Sequence, residues 1–388
     1  SKDGYIYTFH IRDGVYFHDD NCFKNGKGRK LSVNDVIYSL TELFSPSNQN
    51  SLYTLAIDKV FGADEHYEKL KERKKAGNVK GIRKVDNRTI NIVLTEPYSK
   101  FPEIVASAAF WIYPKEAVTF YGSEFRTHPV GTGPFKMSKM VEGEIVILGR
   151  NSNYWRVDYF GNQLPYLDAL KFTFVKEKKT EINEFLKGNL DMVYEVPRDE
   201  INAFHLDVSK NEGEYIEDDF IVQISPALSI QYYSFNFESK IFDNINVRKA
   251  FNYAINRKKI VDYALNGTGI PAVHGIIPPA FKDYAIDEVH GYHFNVAKAQ
   301  EYFAKAGYSG GKGFPHLTLY LNSGGGTSNL LVAEAVQKML SDNLGIYLDL
   351  SVTDRVVHFE NAETGKYNFW KDVWLADYYD PENFLSLF

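Results

Sequence analysis

The order of elements between Leu317 and Ala376 constrains this chain more than any other feature. Leu317-Thr-Leu-Tyr-Leu-Asn322 reads as a strand, with Gly324-Gly-Gly326 as the turn after it. From Leu330 to Leu344 the apolar residues Leu331, Ala335, Val336, Met339 and Leu340 recur at helical spacing, and Gly345 ends that helix. Ile346 to Val352 is a second strand, Asp354 to Glu363 a second helix, and Tyr367 to Ala376 a third strand. Strands alternating with helices require crossovers, so this region predicts a parallel sheet with right-handed connections. Sheets of that kind bind ligands outside the carboxyl ends of their strands. The third strand delivers Asp377 to that edge, with Tyr378, Tyr379 and an Asp380-Pro381 helix start behind it.

The chain has 388 residues, more than one core usually supports, so two or three domains are expected. Val247 to Leu265 predicts one amphipathic helix, with Val247, Ala250, Phe251, Ala254, Ile255 and Val261 on its apolar side and Asn266-Gly267 as its stop. Ala297 to Ala306, closed by Gly307, predicts another, and Pro271 to Pro279 between them is a loop. In the first third, alternating strands (Tyr5–Ile11, Thr89–Leu94) flank a helix from Val33 to Phe44. Ser32 is its N-cap, with Asp35 at N3. His66 to Gly77 predicts a charged, solvent-facing helix. A sharp turn at Pro129-Val-Gly-Thr-Gly-Pro-Phe135 precedes strands at Glu144–Leu148 and Ala169–Val175. Domain boundaries are expected near residues 129 and 229.

Several function classes find no support. The net charge of -6 offers nothing to nucleic acid or an anionic membrane. Cys22 is the only cysteine, which rules out an intrachain disulfide and disfavours a Cys-ligated zinc. No apolar run approaches the ~18 residues a membrane span needs; the longest is Ile104 to Tyr113. Gly324-Gly-Gly-Thr-Ser328 lacks the lysine of a phosphate loop, and Gly131-Thr-Gly133 lacks the third glycine of a dinucleotide fingerprint. His290 and His293 have neither helical spacing nor an acidic companion. No nucleophile elbow or paired carboxylates stand out, so no catalytic residue, metal or cofactor is expected. The aromatic content of 15% suits a large binding cleft as well as cores. The chain opens within an alternating strand and stops within an apparent helix, so it reads as a segment of a longer protein.

An ordered series of segments resembles one family. It runs through Tyr7-Thr-Phe-His-Ile-Arg-Asp-Gly-Val15, Phe17-His-Asp19, Leu31-Ser-Val-Asn-Asp-Val-Ile-Tyr-Ser-Leu40 and Val79 to Thr89. Pro129 to Lys136, Asn153-Tyr-Trp155, Phe242-Asp243 with Val247-Arg-Lys-Ala250, and Trp374 to Pro381 complete it. The series resembles the bacterial dipeptide- and oligopeptide-binding proteins of ABC transporters, the family 5 extracellular solute-binding proteins. The resemblance implies an α/β fold of the type II periplasmic-binding-protein kind, with two hinged lobes and an extra subdomain. Residues 1–128 would be that subdomain, 129–228 an incomplete lobe one, and 229–388 lobe two without its C-terminal return. It further implies a monomer outside the cytoplasm, in the periplasm or lipid-anchored as a lipoprotein at the cell surface. Such a protein closes on a short peptide and hands it to a membrane permease. An oligosaccharide, a chelated metal or another nutrient as ligand, or a sensory role, is the alternative.

The resemblance places Asp377 where family members pair with a ligand's α-ammonium group. The competing reading is a turn or cap aspartate. Trp374, Tyr378 and Tyr379 are candidate pocket walls, although strand alternation sets Trp374 and Ala376 opposite Val373, Leu375 and Asp377, so Trp374 serves packing equally well. The backbone of Val373 to Leu375 offers an edge to which an extended peptide can add as a strand. Lys371, on the face of Asp377, either meets a peptide carboxylate or is a solvated strand-end lysine, and the second reading is favoured because lysine lacks arginine's fork. Arg355 stands where relatives often carry an aromatic pocket residue, and is either an anion-preferring contact or an exposed helix-start arginine. Of Tyr232 and Tyr233 only one reaches the cleft, and Tyr233 is preferred.

Overall fold

The computed structural model describes residues 4–47, 51–194, 196, 213–217, 220–323 and 326–387; the predicted turn residues Gly324 and Gly325 lie outside them. The chain divides into two compact units, Ser1–Glu177 and Lys178–Phe388.

The first unit contains β1 (Ile6–His10), α1 (Val33–Leu43), α2 (Ala63–Lys71), β2 (Ile82–Lys84), β3 (Thr89–Val93), α3 (Phe101–Val105) and α4 (Lys115–Tyr121). It continues with β4 (Phe135–Val141), β5 (Ile145–Arg150) and β6 (Ala169–Thr173). Two antiparallel sheets result, β1-β3-β2 and β4-β5-β6. The predicted cap of α1 is present: Ser32 and Asp35 form a capping box. Arg29 grips Asp35 at 2.6 Å and Glu116 of α4 at 2.6 Å, tying the start of α1 to α4. Burial works to raise the Asp35 pKa, but the bonds from Arg29 and Ser32 outweigh it and hold the carboxyl below its ordinary value. Helix α2 corrects the prediction. It ends at Lys71, before Arg73 in the left-handed region at φ 59°, and one stripe of it, Ala63 and His66, is buried.

The second unit contains α5 (Lys178–Leu186), the hairpin of β7 (Gly213–Glu217) and β8 (Phe220–Ile224), then β9 (Ser229–Phe235), α6 (Ile245–Ala254), α7 (Arg257–Lys259) and α8 (Val296–Lys305). The predicted alternation follows: β10 (Leu317–Asn322), α9 (Gly326–Leu344), β11 (Leu348–Thr353), α10 (Arg355–Glu363), β12 (Phe369–Leu375) and α11 (Glu382–Leu385). Helix α9 starts four residues earlier than its apolar spacing suggested, and Gly345, at φ 70°, closes it. The helix predicted over Val247–Leu265 is instead broken. Ile255 and Asn256 are extended, and the Asn256 side chain accepts from the Lys259 amide at 3.0 Å, starting a new turn. Asparagine competes for backbone donors and so favours such a cap, while Ile260 and Val261 beyond the break remain buried and preserve the apolar stripe.

The main sheet has the order β11-β10-β12-β9. β10 is parallel to β11 along its length and to β12 at Tyr320↔Trp370. β9 closes the other side of β12, antiparallel from Phe369↔Phe235 to Leu375↔Ser229. Helices α6, α8 and α9 bury Leu317, Leu319, Leu321 and Phe369 beneath them. Phe235 and Phe369 stack at 5.3 Å, with Phe242 and Phe251 packed at 5.8 Å from Phe369. Such ring pairs add about 0.5–1.5 kcal/mol each beyond their area burial.

Candidate functional site

Strand β12 carries the candidate site on one face. Alternation places Phe369, Lys371, Val373 and Leu375 together, with Asp377 just beyond the strand. Exposure climbs along this strip, from none at Phe369 to 6% at Lys371, 38% at Val373 and 66% at Leu375. At the strand rise it is roughly 20 Å from Lys371 to Asp377. The strip has a dry base and a wet tip.

Lys371 sits at the base, and here the favoured sequence reading is overturned. The lysine is buried rather than solvated, because Phe369 and the helix-covered core lie directly beneath it. It has no ion-pair partner among the described residues. Burial lowers its pKa, opposed by the neighbouring Asp372 charge. Directly across the strand pair stands Tyr233. Its ring packs 5.8 Å from Phe369, whereas its hydroxyl is buried without a partner among the described residues, and burial raises its pKa above the ordinary tyrosine range. Sequence reasoning missed Asn329, which is buried with its Nδ2 unpartnered among the described residues. It lies one turn before the buried Ala333 on the same face of α9, towards the carboxyl end of the sheet. A polar residue extending an apolar helical stripe was the available signal.

Asp377 occupies the tip. Its amide donates to Asn383 Oδ1 at 3.0 Å, and the Trp374 indole N–H donates to the same oxygen at 3.0 Å. Burial raises the Asp377 pKa above its ordinary value, partly offset by a hydrogen bond from Asn383. The carboxylate is exposed and has no cationic partner among the described residues. Asn383, also missed from sequence, is buried in α11 and organises both groups. The remaining aromatics brace this arrangement. Trp374 and Ala376 pack on the opposite face against Ile277, Phe281 and Phe384. Tyr378 is buried and donates to Glu382, while the Tyr379 hydroxyl donates to the Ala280 carbonyl at 3.2 Å.

Arg355 begins α10, exposed, with its guanidinium 5.7 Å from the Phe359 ring and no ion pair among the described residues. The structure brings together Lys371, Tyr233, Val373, Leu375 and Asp377; it shows no contact between Arg355 and that strip. Among the described residues no group of three or more His, Cys, Asp or Glu is arranged to hold a metal, and no helix is long and apolar enough to cross a membrane.

The arrangement is a linear strip with unsatisfied donors at one end and a carboxylate at the other, complementary to an extended zwitterion. The family described as bacterial extracellular solute-binding proteins, family 5 (middle) matches residues 1–388. The chain belongs to this family. Oligopeptide-binding protein OppA of Bacillus subtilis (strain 168) is 28% identical over 400 residues, spanning 100% of this chain and 67% of that protein. Glutathione-binding protein GsiB of Pectobacterium atrosepticum is 30% identical over 313 residues, spanning 80% of this chain and 52% of that protein. The chain thus corresponds to between half and two thirds of these relatives. A periplasmic oligopeptide-binding protein from Borrelia burgdorferi superimposes with a TM-score of 0.77 at 27% identity, covering 100% of this chain and 71% of that one. DppA from Helicobacter pylori, in complex with the peptide STSA, gives 0.76 at 25%, covering 99% and 69%. The family 5 fold is the α/β, type II periplasmic-binding-protein fold that the sequence series implied. The family is a solute-binding one whose members work outside the cytoplasm.

Proposed function

We propose that the protein is the extracytoplasmic solute-binding component of an ABC importer, and that it captures short peptides along strand β12. The carrying observation is the charge order of the strip: a buried Lys371 at its base and Asp377 at its tip, on one strand face, each without an ion-pair partner among the described residues. A buried ammonium without a counter-ion is costly, and a ligand carboxylate placed there relieves the cost. One carboxylate has enough lone pairs to accept from Lys371 and Tyr233 together, which stand opposite each other across the strand pair. At the other end Asp377 receives the ligand's α-ammonium in a charge-assisted bond. Side chains between them meet Val373 and Leu375, which offer apolar surface and no directional demand.

In this reading residues 1–128, 129–228 and 229–388 are the extra subdomain, part of lobe one and lobe two. The protein works as a monomer, in the periplasm or lipid-anchored, with a membrane permease as its partner. It is not an enzyme; binding stabilises a closed form. Calorimetric titration of tripeptides into the wild-type protein and the Asp377→Ala variant tests this. The expected result is 1:1 binding weakened by about 100-fold in the variant. Equal affinities would remove Asp377 from the mechanism, and no heat with any peptide would remove the peptide.

A further inference from the structure

Asn383 bears on how Asp377 is presented to a ligand. Its Oδ1 accepts from the Asp377 amide and from the Trp374 indole N–H, each at 3.0 Å. An amide oxygen has two lone pairs, so both are committed, and that fixes which way the side chain faces. The Nδ2 donors are left to serve the Asp377 carboxylate. Asn383 is itself only 4% exposed and is held from two sides. Its backbone N–H donates to the Asp380 carbonyl at 3.1 Å, and the next residue, Phe384, is fully buried with its ring 5.7 Å from Phe281. An exposed carboxylate is thus steered by a dry, immobilised amide, where a hydrogen bond meets little competition from water.

We propose that Asn383 is a positioning residue for the ligand's ammonium group: it touches no ligand, and it holds the Asp377 carboxylate ready at the tip of the strip. This rests on the peptide reading above. An aspartate just beyond a strand end would otherwise swing between rotamers and lose that freedom on binding; the clamp removes it beforehand. Burial favours the neutral acid, which cannot pair with an ammonium, and the Asn383 donor opposes it. Trp374 enters through the shared oxygen. Its indole N–H ties the tip to the apolar cluster of Ile277, Phe281 and Phe384, so the ring supports binding from the far face of β12. The other ionisable groups on the segments packed here are Tyr378 and Glu382, bonded to each other, Tyr379, bonded to the Ala280 carbonyl, and Asp380, which caps the Glu382 amide. Lys282, Asp283 and Tyr284 follow Phe281 in its loop. All of them stay in place when variants at Asn383 are compared.

The test compares an alanine hexapeptide, which at about 3.4 Å per residue matches the strip, with its N-acetylated form. Both are titrated across pH into the wild-type protein, Asn383→Ala and Asn383→Asp, with the thermal midpoint of each variant as a folding control. In the wild type the free amino terminus should be worth about 100-fold in affinity. Asn383→Ala should cut that ratio by about tenfold, the worth of a hydrogen bond to a charged group, with the acetylated peptide little changed. A merely structural role would weaken both peptides alike and leave the ratio as it was. Asn383→Asp keeps the acceptor for both N–H groups but sets a second carboxylate against Asp377, and it decides the matter if Asn383→Ala does not fold. Like charge raises the pKa of the pair, so the acid limb for the free peptide should move up by about one pH unit or more. An unchanged ratio in Asn383→Ala, or an unmoved acid limb in Asn383→Asp, overturns the positioning role and leaves the peptide reading standing. Equal binding of the two peptides by the wild type overturns the ammonium reading of Asp377, and the positioning role with it.

Discussion

The β11-β10-β12-β9 sheet of the second unit and the β4-β5-β6 sheet of the first are written in similar letters but packed very differently. β10 alternates between buried and half-buried positions and ends on two buried residues, under helices that supply Ala333, Val336, Phe303 and Phe251. β5 opens with the apolar run Ile145-Val-Ile-Leu148, a pattern suited to a strand covered on both faces, yet none of its residues is buried. In β6 and just after it, Phe172 and Phe174 are about half exposed. An apolar run therefore says that a strand wants cover, not that its neighbours provide it. The candidate site depends on the contrast: Lys371 is held dry because the helix-covered core lies beneath it.

Substitutions in the two sheets should separate sharply. Phe369→Ala removes a fully buried ring from the core and should cost about 3–5 kcal/mol, whereas Leu148→Ala in β5 should cost less than about 2 kcal/mol. Chemical denaturation of both variants checks this, and equal losses would break the comparison. Next in size is Arg29→Ala in the first unit. Arg29 is partly exposed but Asp35 is buried, and leaving that carboxylate without its main partner should cost about 2–3 kcal/mol at neutral pH. Because the folded Asp35 pKa is depressed, the contribution is present above the unfolded value and fades as the pH falls through the folded one. The difference between wild type and Arg29→Ala should therefore shrink in acid, and a constant difference would assign the loss to packing. The smallest of the stability effects is Ser32→Ala, about 1 kcal/mol from the lost cap of α1, measured as a shift in denaturation midpoint.

Binding should follow the pKa shifts at the two ends of the strip. Asp377 must be ionised to hold an ammonium, and its pKa is raised, so affinity should fall on acidification earlier than an ordinary aspartate would allow. Lys371 must be charged to hold a carboxylate, and its pKa is lowered, so affinity should also fall earlier on the alkaline side. A bell-shaped profile of affinity against pH, whose acid limb disappears in Asp377→Asn, is the expected outcome. An unchanged acid limb in that variant would place the titration elsewhere.

Much of the second unit was legible in the sequence because its alternation of periods matches its layers. The β-α-β-α-β order, the cap of α1, and the position of Asp377 at a strand end all follow from local rules. Other features depend on contacts between segments distant along the chain. The break after Ala254 is invisible to periodicity because both halves of the helix present apolar residues to the same core. The burial of Lys371 depends on the helix-covered core and on Tyr233, which lies 138 positions away along the chain. Asn383 acts through its position in a packed helix, and a single asparagine in a sequence carries no such mark, whereas Asn329 is marked only by its place at the end of an apolar helical stripe. The aromatic residues after the strand illustrate the converse: Trp374 and Tyr378 looked like walls of a site and pack as its supports.

The account turns on a free ligand ammonium meeting Asp377. Calorimetric titration of one tripeptide with a free amino terminus and the same tripeptide N-acetylated tests it most directly. The account predicts a loss of about 100-fold on acetylation in the wild-type protein and little difference between the two peptides in Asp377→Asn. Equal binding of both peptides by the wild-type protein would contradict it.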